Sequence, residues 1–552
     1  MNHFAFLLDR LGFEPSRLGK LRLMTEYFGA TLDPERGYAL AALTGALSFQ
    51  HAKPALIRGL IAERVDPVLF DLSYDFVGDL SETVALLWPT PNGAPAGQGA
   101  NHAPLMLSEV VRELGSTSKL SLPAKLSGWL DALDEIGRWA LLKLITGSLR
   151  IGVSARLAKT ALADLGGKAV NEIEEVWHGS APPYLDLFAW LEGREERPDP
   201  SDPAPFHPAM LAHAIEPKDF DELLPSEFLA EWKWDGIRVQ AVSGVAADGR
   251  KTTRLFSRTG EDISPAFPDL TQALWDIDVQ TYSLDGELLI LREGRVEPFG
   301  VLQQRLNRKT VSAKLLADFP ACIRAYDLLR EGEEDLRPLP FLERRKRLCA
   351  FVENVRCPRL DLSPLVPFDS WAELAEARRA PGSFGAEDDA EAIEGLMLKR
   401  ADSIYTPGRP KGLWYKWKRD PFRVDAVLMY AQRGHGKRSS FYSDYTFGVW
   451  RQDGEGAHLI PVGKSYFGFT DAELVELDRY VRNNTANRFG PVREVTHGGE
   501  EGLVLEIAFE GLNRSSRHKS GVAMRFPRVA RIRWDKPARE ADRIESLEAL
   551  LK

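Results

Sequence analysis

The character of the sequence changes near residue 195, and this change constrains the fold more than any other feature. Before it, apolar residues recur at helical spacings, and SGWLDALDEIGRWALLKLITG shows the pattern at Trp129, Leu130, Leu133, Ile136, Trp139, Leu141 and Leu142. Residues 193–208, GREERPDPSDPAPFHP, are so rich in proline and charge that neither a helix nor a central strand suits them. The sequence therefore predicts an all-α domain over residues 1–195 and a linker over 196–209.

Residues 210–420 mix strand and helix patterns. GIRVQAVSG and TTRLFSR alternate and flank an Asp-Gly pair at 248–249, which predicts a hairpin-like pair of strands. Further strand candidates are SLDGELLILR, CIRAYDLLR, EGLMLKR and LWYKWKR, and the helical segment PFLERRKRLCAFVENV separates some of them. We expect an α+β domain with mostly antiparallel sheets.

Residues 421–552 return to short strand patterns, with one helical segment, TDAELVELDRYVRNNT, among them. Several short strands with a single inserted helix are typical of a small Greek-key barrel of the oligonucleotide-binding (OB) type. The chain is thus predicted to be multidomain, with an OB-fold β-barrel at its C-terminal end.

Composition excludes several classes of protein. Three cysteines without paired spacing disfavour a disulfide framework and a four-cysteine zinc site. No run of about 18 apolar residues is present, so we expect no membrane span, and we expect a cytoplasmic protein. The net charge of -9 argues against a protein that coats nucleic acid by bulk charge, but it permits a local basic surface.

The segment EWKWDGIRVQ places Lys233 between two tryptophans. An ordinary lysine at pH 7 is neutral in only about one molecule in 2,500, so a lysine nucleophile needs a lowered pKa. Burial, a nearby cation such as Arg238 or a bound metal would lower it. Trp232 and Trp234, as strand neighbours, should point away from Lys233. Taken alone, the segment also fits an edge strand with a snorkelling lysine.

Two acids occur where strands are predicted. Glu287 lies in LDGELL, and Glu394 lies among apolar residues in IEGLMLKR, where an unpaired carboxylate would be costly. Carboxylates on two core strands could share Mg²⁺, a hard cation that prefers oxygen.

Cations and an aromatic residue complete the pattern. Lys416 and Lys418 lie on one strand face, where their repulsion favours a polyanion between them. Arg258 follows a strand, and Tyr326 could stack on a base. Together these residues suit a nucleotide and a metal. No G-x-x-x-x-G-K-[ST] loop is present, which disfavours a P-loop ATPase.

In their order along the chain, these segments resemble the motifs of covalent nucleotidyltransferases, specifically the ATP-dependent DNA ligases. The matching segments are KWDGIR, FSRTGED, LDGEL, AYDLL, EGLMLKR and WYKWK, followed by the arginine-rich RHKSGVAMRFPRVARIRWDK. ITGSLRIGVSARLAKTALADL resembles the helical DNA-binding domain of the larger ligases. Tyr326 stands where phenylalanine is usual. Pro410 stands where an arginine is usual, and the adjacent Arg409 could substitute for it.

The resemblance implies a three-step reaction. Lys233 would attack ATP to form lysyl-AMP, the AMP would pass to the 5′-phosphate at a nick, and the 3′-hydroxyl would then displace it. The resemblance implies that Glu231, partly through its backbone, and Tyr326 bind the adenine, and that Glu287 and Glu394 contact the metal and the sugar. Ribose or phosphate contacts would come from Arg238, Arg258 and Lys418, and an α-phosphate contact from Lys416. Arg525 and Arg528 would contact the pyrophosphate, and Asp235 would orient the reacting groups. The metal would be Mg²⁺ or Mn²⁺. Nick sealing of this kind serves DNA replication, repair and recombination.

The charge pattern supports a polyanionic partner. Residues 507–537 hold eight Lys or Arg residues against two acidic ones, a net +6. We expect a monomer that binds nicked duplex DNA, largely independently of sequence. The alternatives are an RNA ligase or a capping-type guanylyltransferase on the same core, or a non-catalytic nucleic-acid scaffold. An NAD-dependent ligase is disfavoured, because these cysteines cannot build its zinc module.

Overall fold

The computed structural model describes residues 1–77, 79–89, 105–147, 149–177, 179–198, 202–306, 311–433, 441–454, 456–515 and 518–551. They form two compact units. The first comprises Met1–Gly167, Pro182–Glu192 and Asp420–Lys552, and the second comprises Lys168–Ala181 and Gly193–Arg419. The four domain ranges predicted from the sequence stay predictions. No helix within the described ranges is long and apolar enough to cross a membrane.

The N-terminal region is helical, as predicted. Its helices are α1 (Asn2–Phe13), α2 (Arg17–Ala30), α3 (Glu35–Thr44), α4 (Pro54–Ala62), α5 (Pro67–Val77), α6 (Leu80–Leu87), α7 (Leu107–Ser116), α8 (Leu122–Ala132), α9 (Glu135–Thr146), α10 (Ala155–Gly166), α11 (Val170–Trp177) and α12 (Leu185–Leu191). The periodic segment around Asp134 is two helices, because the Asp134 side chain accepts a hydrogen bond from the Gly137 amide and so begins α9.

The second unit is built on two sheets. Its strands are β1 (His213–Ala214), β2 (Phe228–Trp234), β3 (Ile237–Val245), β4 (Lys251–Ser257), β5 (Tyr282–Arg292), β6 (Arg295–Val296), β7 (Ala321–Glu331), β8 (Glu334–Asp335), β9 (Leu360–Leu362), β10 (Leu365–Val366), β11 (Ile393–Arg400) and β12 (Trp414–Lys418). Between them lie α13 (Asp219–Glu222), α14 (Pro268–Trp275), α15 (Phe299–Leu302), α16 (Ala313–Asp318), α17 (Phe341–Val355) and α18 (Trp371–Arg379). One sheet has the order β1-β12-β11-β2-β10, and the other has β4-β3-β5-β7-β8, with β6 beside β5 and β9 beside β7. Pairing is antiparallel except for β1 with β12 and β7 with β9, which confirms the predicted α+β core.

The predicted strand pair and part of the predicted linker both lie in the second unit. The strands β3 and β4 pair antiparallel, and Gly249 in the turn between them has a φ of +83°, which glycine adopts without a steric penalty. Within the segment predicted as a linker, Ala204 and Phe206 are buried against Val242 and Phe256. This part of the segment therefore packs against the core, because its two apolar side chains are buried on strands β3 and β4.

The C-terminal part of the first unit is rich in strands. They are β13 (Phe422–Arg433), β14 (Tyr442–Asp453), β15 (Gly456–Ser465), β16 (Thr485–Phe489), β17 (Val492–Val495), β18 (Val504–Phe509), β19 (Gly511–Arg514), β20 (Val522–Arg525) and β21 (Arg528–Arg533), with helices α19 (Asp471–Asn483) and α20 (Ile544–Glu548). The long strand β13 pairs with β14, β17 and β18, and β18 also pairs with β21. Helix α19 is the predicted inserted helix, and Thr470 and Glu473 close its first turn with a reciprocal capping box.

Candidate active site

Lys233 lies in a row of three residues that crosses the five-stranded sheet. Gly395 on β11 is paired with Lys233 of β2 on one side and with Lys418 of β12 on the other. Gly395 has a φ of +144°, and a Cβ there would lie 2.3 Å from the Trp417 carbonyl oxygen. A larger residue would force the strands apart, so the glycine permits the close packing that places both lysines on one face.

Glu394 bridges the two lysines. A register shift between Ile393 and Gly395 places it beside the row, with Oε1 2.5 Å from the Lys233 Nζ and Oε2 3.2 Å from the Lys418 Nζ. Although burial opposes the effect, Lys233 and Lys418 hold the pKa of Glu394 below its ordinary value. This carboxylate is therefore ionised and holds the two ammonium groups close together.

Glu287 is the second predicted acid, and it lies on the neighbouring sheet as the cross-strand partner of Arg238. Burial raises the pKa of Glu287 to about 7, with Lys233 opposing the shift and Glu394 adding to it. The two carboxylates thus lie near enough for the charge of Glu394 to raise the pKa of Glu287. A cation between them would relieve this repulsion, and their oxygens suit a hard divalent ion.

The raised pKa of Glu287 predicts a pH effect on stability. A carboxyl group whose pKa is raised on folding stabilises the folded protein at pH values below the ordinary pKa of the group. This stabilisation is lost as the pH rises through the folded-state pKa of about 7. We expect Glu287→Gln, relative to wild type, to gain up to about 3 kcal/mol of unfolding free energy between pH 5 and pH 8. Urea unfolding with chelator and without nucleotide measures this. A parallel pH dependence of wild type and variant would contradict it, and the exposed Glu391→Gln is the control.

Lys416 lies two residues before Lys418 on the same face of β12. Burial lowers the pKa of Lys416, and the positive charges of Arg409, Lys418 and Lys233 lower it further. Arg409 is exposed, and its carbonyl oxygen lies 3.2 Å from His213 Nε2. In the structure, Arg409 therefore lies close enough to Lys416 for its positive charge to lower the pKa of Lys416.

Arg238 is held by three protein groups. Its Nη2 donates to Asp285 at 2.6 Å and to the Tyr405 hydroxyl at 3.1 Å, and its Nη1 donates to the Met210 carbonyl at 2.6 Å. Its guanidinium carbon lies 5.9 Å from the centre of the Tyr326 ring. Two of the three donor nitrogens of Arg238 are thus already bound to protein.

Glu231 lies two residues before Lys233 on β2, and its side chain is almost fully buried. Its carboxylate oxygens lie 3.0 Å from an Arg345 nitrogen and 2.6 Å from the Lys399 Nζ. The Lys399 ammonium also lies 4.4 Å from the centre of the Tyr326 ring. Two cations are thus already bound to the Glu231 carboxylate.

The two tryptophans beside Lys233 point the other way, as strand parity predicts. Trp232 and Trp234 are buried with Leu396 and Leu398 in an apolar cluster on the opposite face of the sheet. Arg324 stacks on Trp234, with its guanidinium carbon 4.3 Å from the ring centre. Both tryptophans therefore support the strand from behind.

The remaining predicted residues are Asp235, which lies near enough to Glu287 to raise the pKa of that carboxyl group, Arg258, and two arginines of the first unit. The Asp235 amide donates to the Ala392 carbonyl at 2.7 Å, and Arg258 is exposed in the turn after β4. In the first unit, the Arg525 guanidinium carbon lies 5.5 Å from the centre of the Phe526 ring, and Arg528 lies 3.7 Å from Glu510.

Sequence reasoning missed several polar residues around the site, namely Asp285, Tyr405, Lys399 and Arg345. Asp285 offered a signal, since it shares a strand face with Glu287. Lys399 offered a similar signal, since it shares a face of strand β11 with Gly395 and Met397. Tyr405 and Arg345 gave no local signal, because they come from a loop and from α17.

Two mainly antiparallel sheets, with Lys233 bound to the Glu394 carboxylate and close to the buried Glu287, are the arrangement expected of a covalent nucleotidyltransferase. Family comparisons match residues 209–418 to the ATP dependent DNA ligase domain and residues 438–536 to the ATP dependent DNA ligase C terminal region. A "Probable DNA ligase" of Koribacter versatilis is 31% identical over 590 residues, covering 100% of this chain and 96% of the relative. "DNA ligase 1" of Korarchaeum cryptofilum is 28% identical over 579 residues, covering 100% and 98%. The chain belongs to the ATP-dependent DNA ligase family.

A solved structure supports the fold. The protein titled "Pmar-Lig_Pre." superposes with a TM-score of 0.56 at 14% identity, covering 97% of this chain and 99% of that one. At this level of identity the likeness concerns the fold alone.

Proposed function

We propose that this chain is an ATP-dependent DNA ligase that seals nicks in duplex DNA through lysyl-AMP and DNA-adenylate intermediates. The observation that carries the proposal is the contact of Lys233 with Glu394 at 2.5 Å, beside Lys418, in a member of the DNA ligase family. Relatives across nearly the full chain are named DNA ligases, which favours this function over an RNA ligase or a capping enzyme.

In the first step the Lys233 amine, after losing a proton, attacks the α-phosphorus of ATP. A phosphorus–nitrogen bond forms as the bond to the bridging oxygen breaks, and pyrophosphate leaves. A 5′-phosphate oxygen at the nick then displaces the lysine. Finally the 3′-hydroxyl attacks the activated phosphate, closes the strand and releases AMP. Holding the activation in a covalent bond allows ATP and DNA to react in turn.

The cations around Lys233 serve this chemistry by charge neutralisation, which phosphoryl-type transfer needs more than acid–base groups. Lys416 contacts the α-phosphate, and Lys418, Arg238 and Arg258 contact ribose or phosphate oxygens. Arg409 takes the place of the usual arginine, which its influence on the charge of Lys416 supports. Asp235 orients the reacting groups.

The nucleoside is held from the other side of the site. Tyr326 stacks on the adenine, and Glu231 contacts it through the backbone of β2, since the carboxylate of Glu231 is bound to Arg345 and Lys399.

Glu287 and Glu394 would hold Mg²⁺, with Mn²⁺ as the alternative. The described residues contain no group of three or more His, Cys, Asp or Glu side chains suited to a metal. The two carboxylates would therefore share the ion with the nucleotide phosphates, as is usual for Mg²⁺. When bound, the ion would neutralise charge that develops on the phosphates.

The C-terminal strands β13–β18 and β21 with helix α19 suit an OB-fold barrel, because β13 pairs with three strands and so joins them in one sheet around a single inserted helix. Arg525 and Arg528 of this part engage the pyrophosphate, and the helical N-terminal domain binds DNA. The partner is nicked duplex DNA, contacted mainly through its backbone. The monomeric state and the cytoplasmic location stay predictions of the sequence.

Labelling with nucleotides tests the function. The wild-type chain with a divalent ion should take covalent, acid-sensitive label from ATP and not from GTP or NAD. It should then seal a nicked DNA duplex and leave a nicked RNA duplex open. Label from GTP alone, or sealing of RNA without DNA, would overturn the proposal.

A further inference from the structure

Arg238, Asp285 and Tyr405 form a closed group of polar side chains beside the candidate site. The Tyr405 hydroxyl donates to Asp285 Oδ2 at 2.5 Å, and the same oxygen accepts from Arg238 Nη2 at 2.6 Å. Arg238 Nη2 also donates to the Tyr405 oxygen at 3.1 Å, so the three groups meet pairwise. Asp285 and Tyr405 are buried, and the Arg238 side chain is 16% exposed.

The protonation of this group is fixed. Burial raises the pKa of Tyr405, and the Asp285 carboxylate raises it further. The hydroxyl therefore keeps its proton at neutral pH and remains a donor to Asp285. A hydrogen bond from a neutral donor to a buried carboxylate is among the stronger ones in proteins, so the orientation is well defined.

The protein does not use every N–H donor of Arg238. Nη1 is bound to Met210 and Nη2 to Asp285 and Tyr405, whereas Nε is buried and has no hydrogen-bond partner among the described residues. A buried donor without a partner costs free energy, so a ligand acceptor that reached the guanidinium would be favoured. Tyr326, the proposed base platform, lies beside the same guanidinium.

Tyr405 also anchors the segment that leads to the phosphate-binding lysines. Its amide donates to the Arg337 carbonyl at 2.9 Å, and three residues later the Gly408 carbonyl accepts from the Leu211 amide at 2.6 Å. Arg409, which influences the charge of Lys416, follows directly. The side chain of Tyr405 thus links the segment carrying Arg409 to the arginine near the nucleoside.

We propose that Tyr405 is a positioning residue for the nucleotide: with Asp285 it fixes the orientation of the Arg238 guanidinium so that its unused N–H groups serve a ribose or phosphate oxygen of ATP. Tyr405 does not contact the reacting atoms, and it acts through Arg238. The identity of the nucleotide rests on the proposed function, whereas the dependence of Arg238 on Tyr405 does not.

The first test is Tyr405→Phe, which removes the hydroxyl and keeps the ring. We expect the KM for ATP in lysyl-AMP formation to rise about tenfold, since the bond lost is to a charged group, while kcat changes less than twofold. Sealing of a pre-adenylated nick, which needs no ATP, should change less than twofold. An unchanged KM, or equal losses in both reactions, would overturn the proposal.

Tyr282→Phe is the matched control. Tyr282 is also a buried tyrosine of the second unit, and its hydroxyl donates to the Leu274 carbonyl at 2.7 Å, outside the site. We expect both variants to lose similar thermal stability, and only Tyr405→Phe to raise the KM. A matching rise in Tyr282→Phe would assign the effect to general destabilisation and overturn the proposal.

A double-mutant cycle with Arg238→Ala gives the decisive readout. If Tyr405 acts through Arg238, adding Tyr405→Phe to Arg238→Ala should change the KM less than twofold. Additive effects would overturn the positioning role. If instead the wild-type chain takes no label from ATP, the proposed function fails. Binding of other nucleotides, measured by calorimetry on wild type and Tyr405→Phe, would then test the link to Arg238 separately.

Discussion

Replacing Lys233 by alanine is expected to lower the formation of covalent AMP from ATP by more than about 1,000-fold, because the variant lacks the amine that attacks ATP. Lys233→Arg should fail as well, since a guanidinium stays protonated and is a poor nucleophile. Both variants should still seal a nick that already carries the 5′-adenylate, within about tenfold of wild type, because the last step needs no lysyl-AMP. Gel detection of labelled protein and of sealed DNA measures the two reactions.

Lys218→Ala is the control for this experiment. Lys218 is an exposed lysine of the same unit and is paired with Glu216 at 2.9 Å. Its replacement should leave labelling unchanged. Full labelling of the Lys233→Ala protein would contradict the assignment of the nucleophile.

Glu394→Gln is expected to slow the formation of lysyl-AMP about 100-fold. The glutamine keeps the shape of the side chain but removes the negative charge that lies 2.5 Å from the Lys233 Nζ and 3.2 Å from the Lys418 Nζ. Two charge-assisted contacts are then weakened, and each is worth roughly 1.5–3 kcal/mol. Rapid-quench measurement of a single turnover with ATP gives the rate.

The control is Glu391→Gln, an exposed glutamate three residues earlier. It should label at the wild-type rate and unfold at the wild-type temperature. A wild-type rate for Glu394→Gln would remove this carboxylate from the reaction.

Strand parity accounts for much of what the sequence could predict about the site. Residues two apart on a strand share a face, so Lys416 and Lys418 could be placed together, and the tryptophans beside Lys233 could be placed behind it. The apolar surroundings of Glu394 marked it as a carboxylate that needs a partner. The order of the motifs then identified the family, and the comparisons confirmed it.

Other features could not be predicted because they depend on long-range packing. The contact between Tyr405 and Asp285 joins residues 120 positions apart, and that between Arg345 and Glu231 joins residues 114 apart. Nothing in the local pattern pairs a loop tyrosine with a strand aspartate.

Some element boundaries also could not be read from periodicity, for a different reason. The helical periodicity around residue 134 continues across a cap that begins a second helix. The strand β16 is mostly exposed, so it lacks the alternation that marks a strand with one buried face.

The sequence by itself determined the order of the segments, the chemical types in the site and the faces on which strand residues lie, because these depend on local spacing. Only the tertiary structure decided which groups meet. Glu394 lies between the two lysines because β11 pairs with both β2 and β12, and its register against β2 shifts between Ile393 and Gly395. Arg238 is bound by Asp285 and Tyr405, and Glu231 by Arg345 and Lys399, because burial makes each charged group find a partner. Such pairing is a property of three-dimensional proximity, which spacing along one strand does not encode.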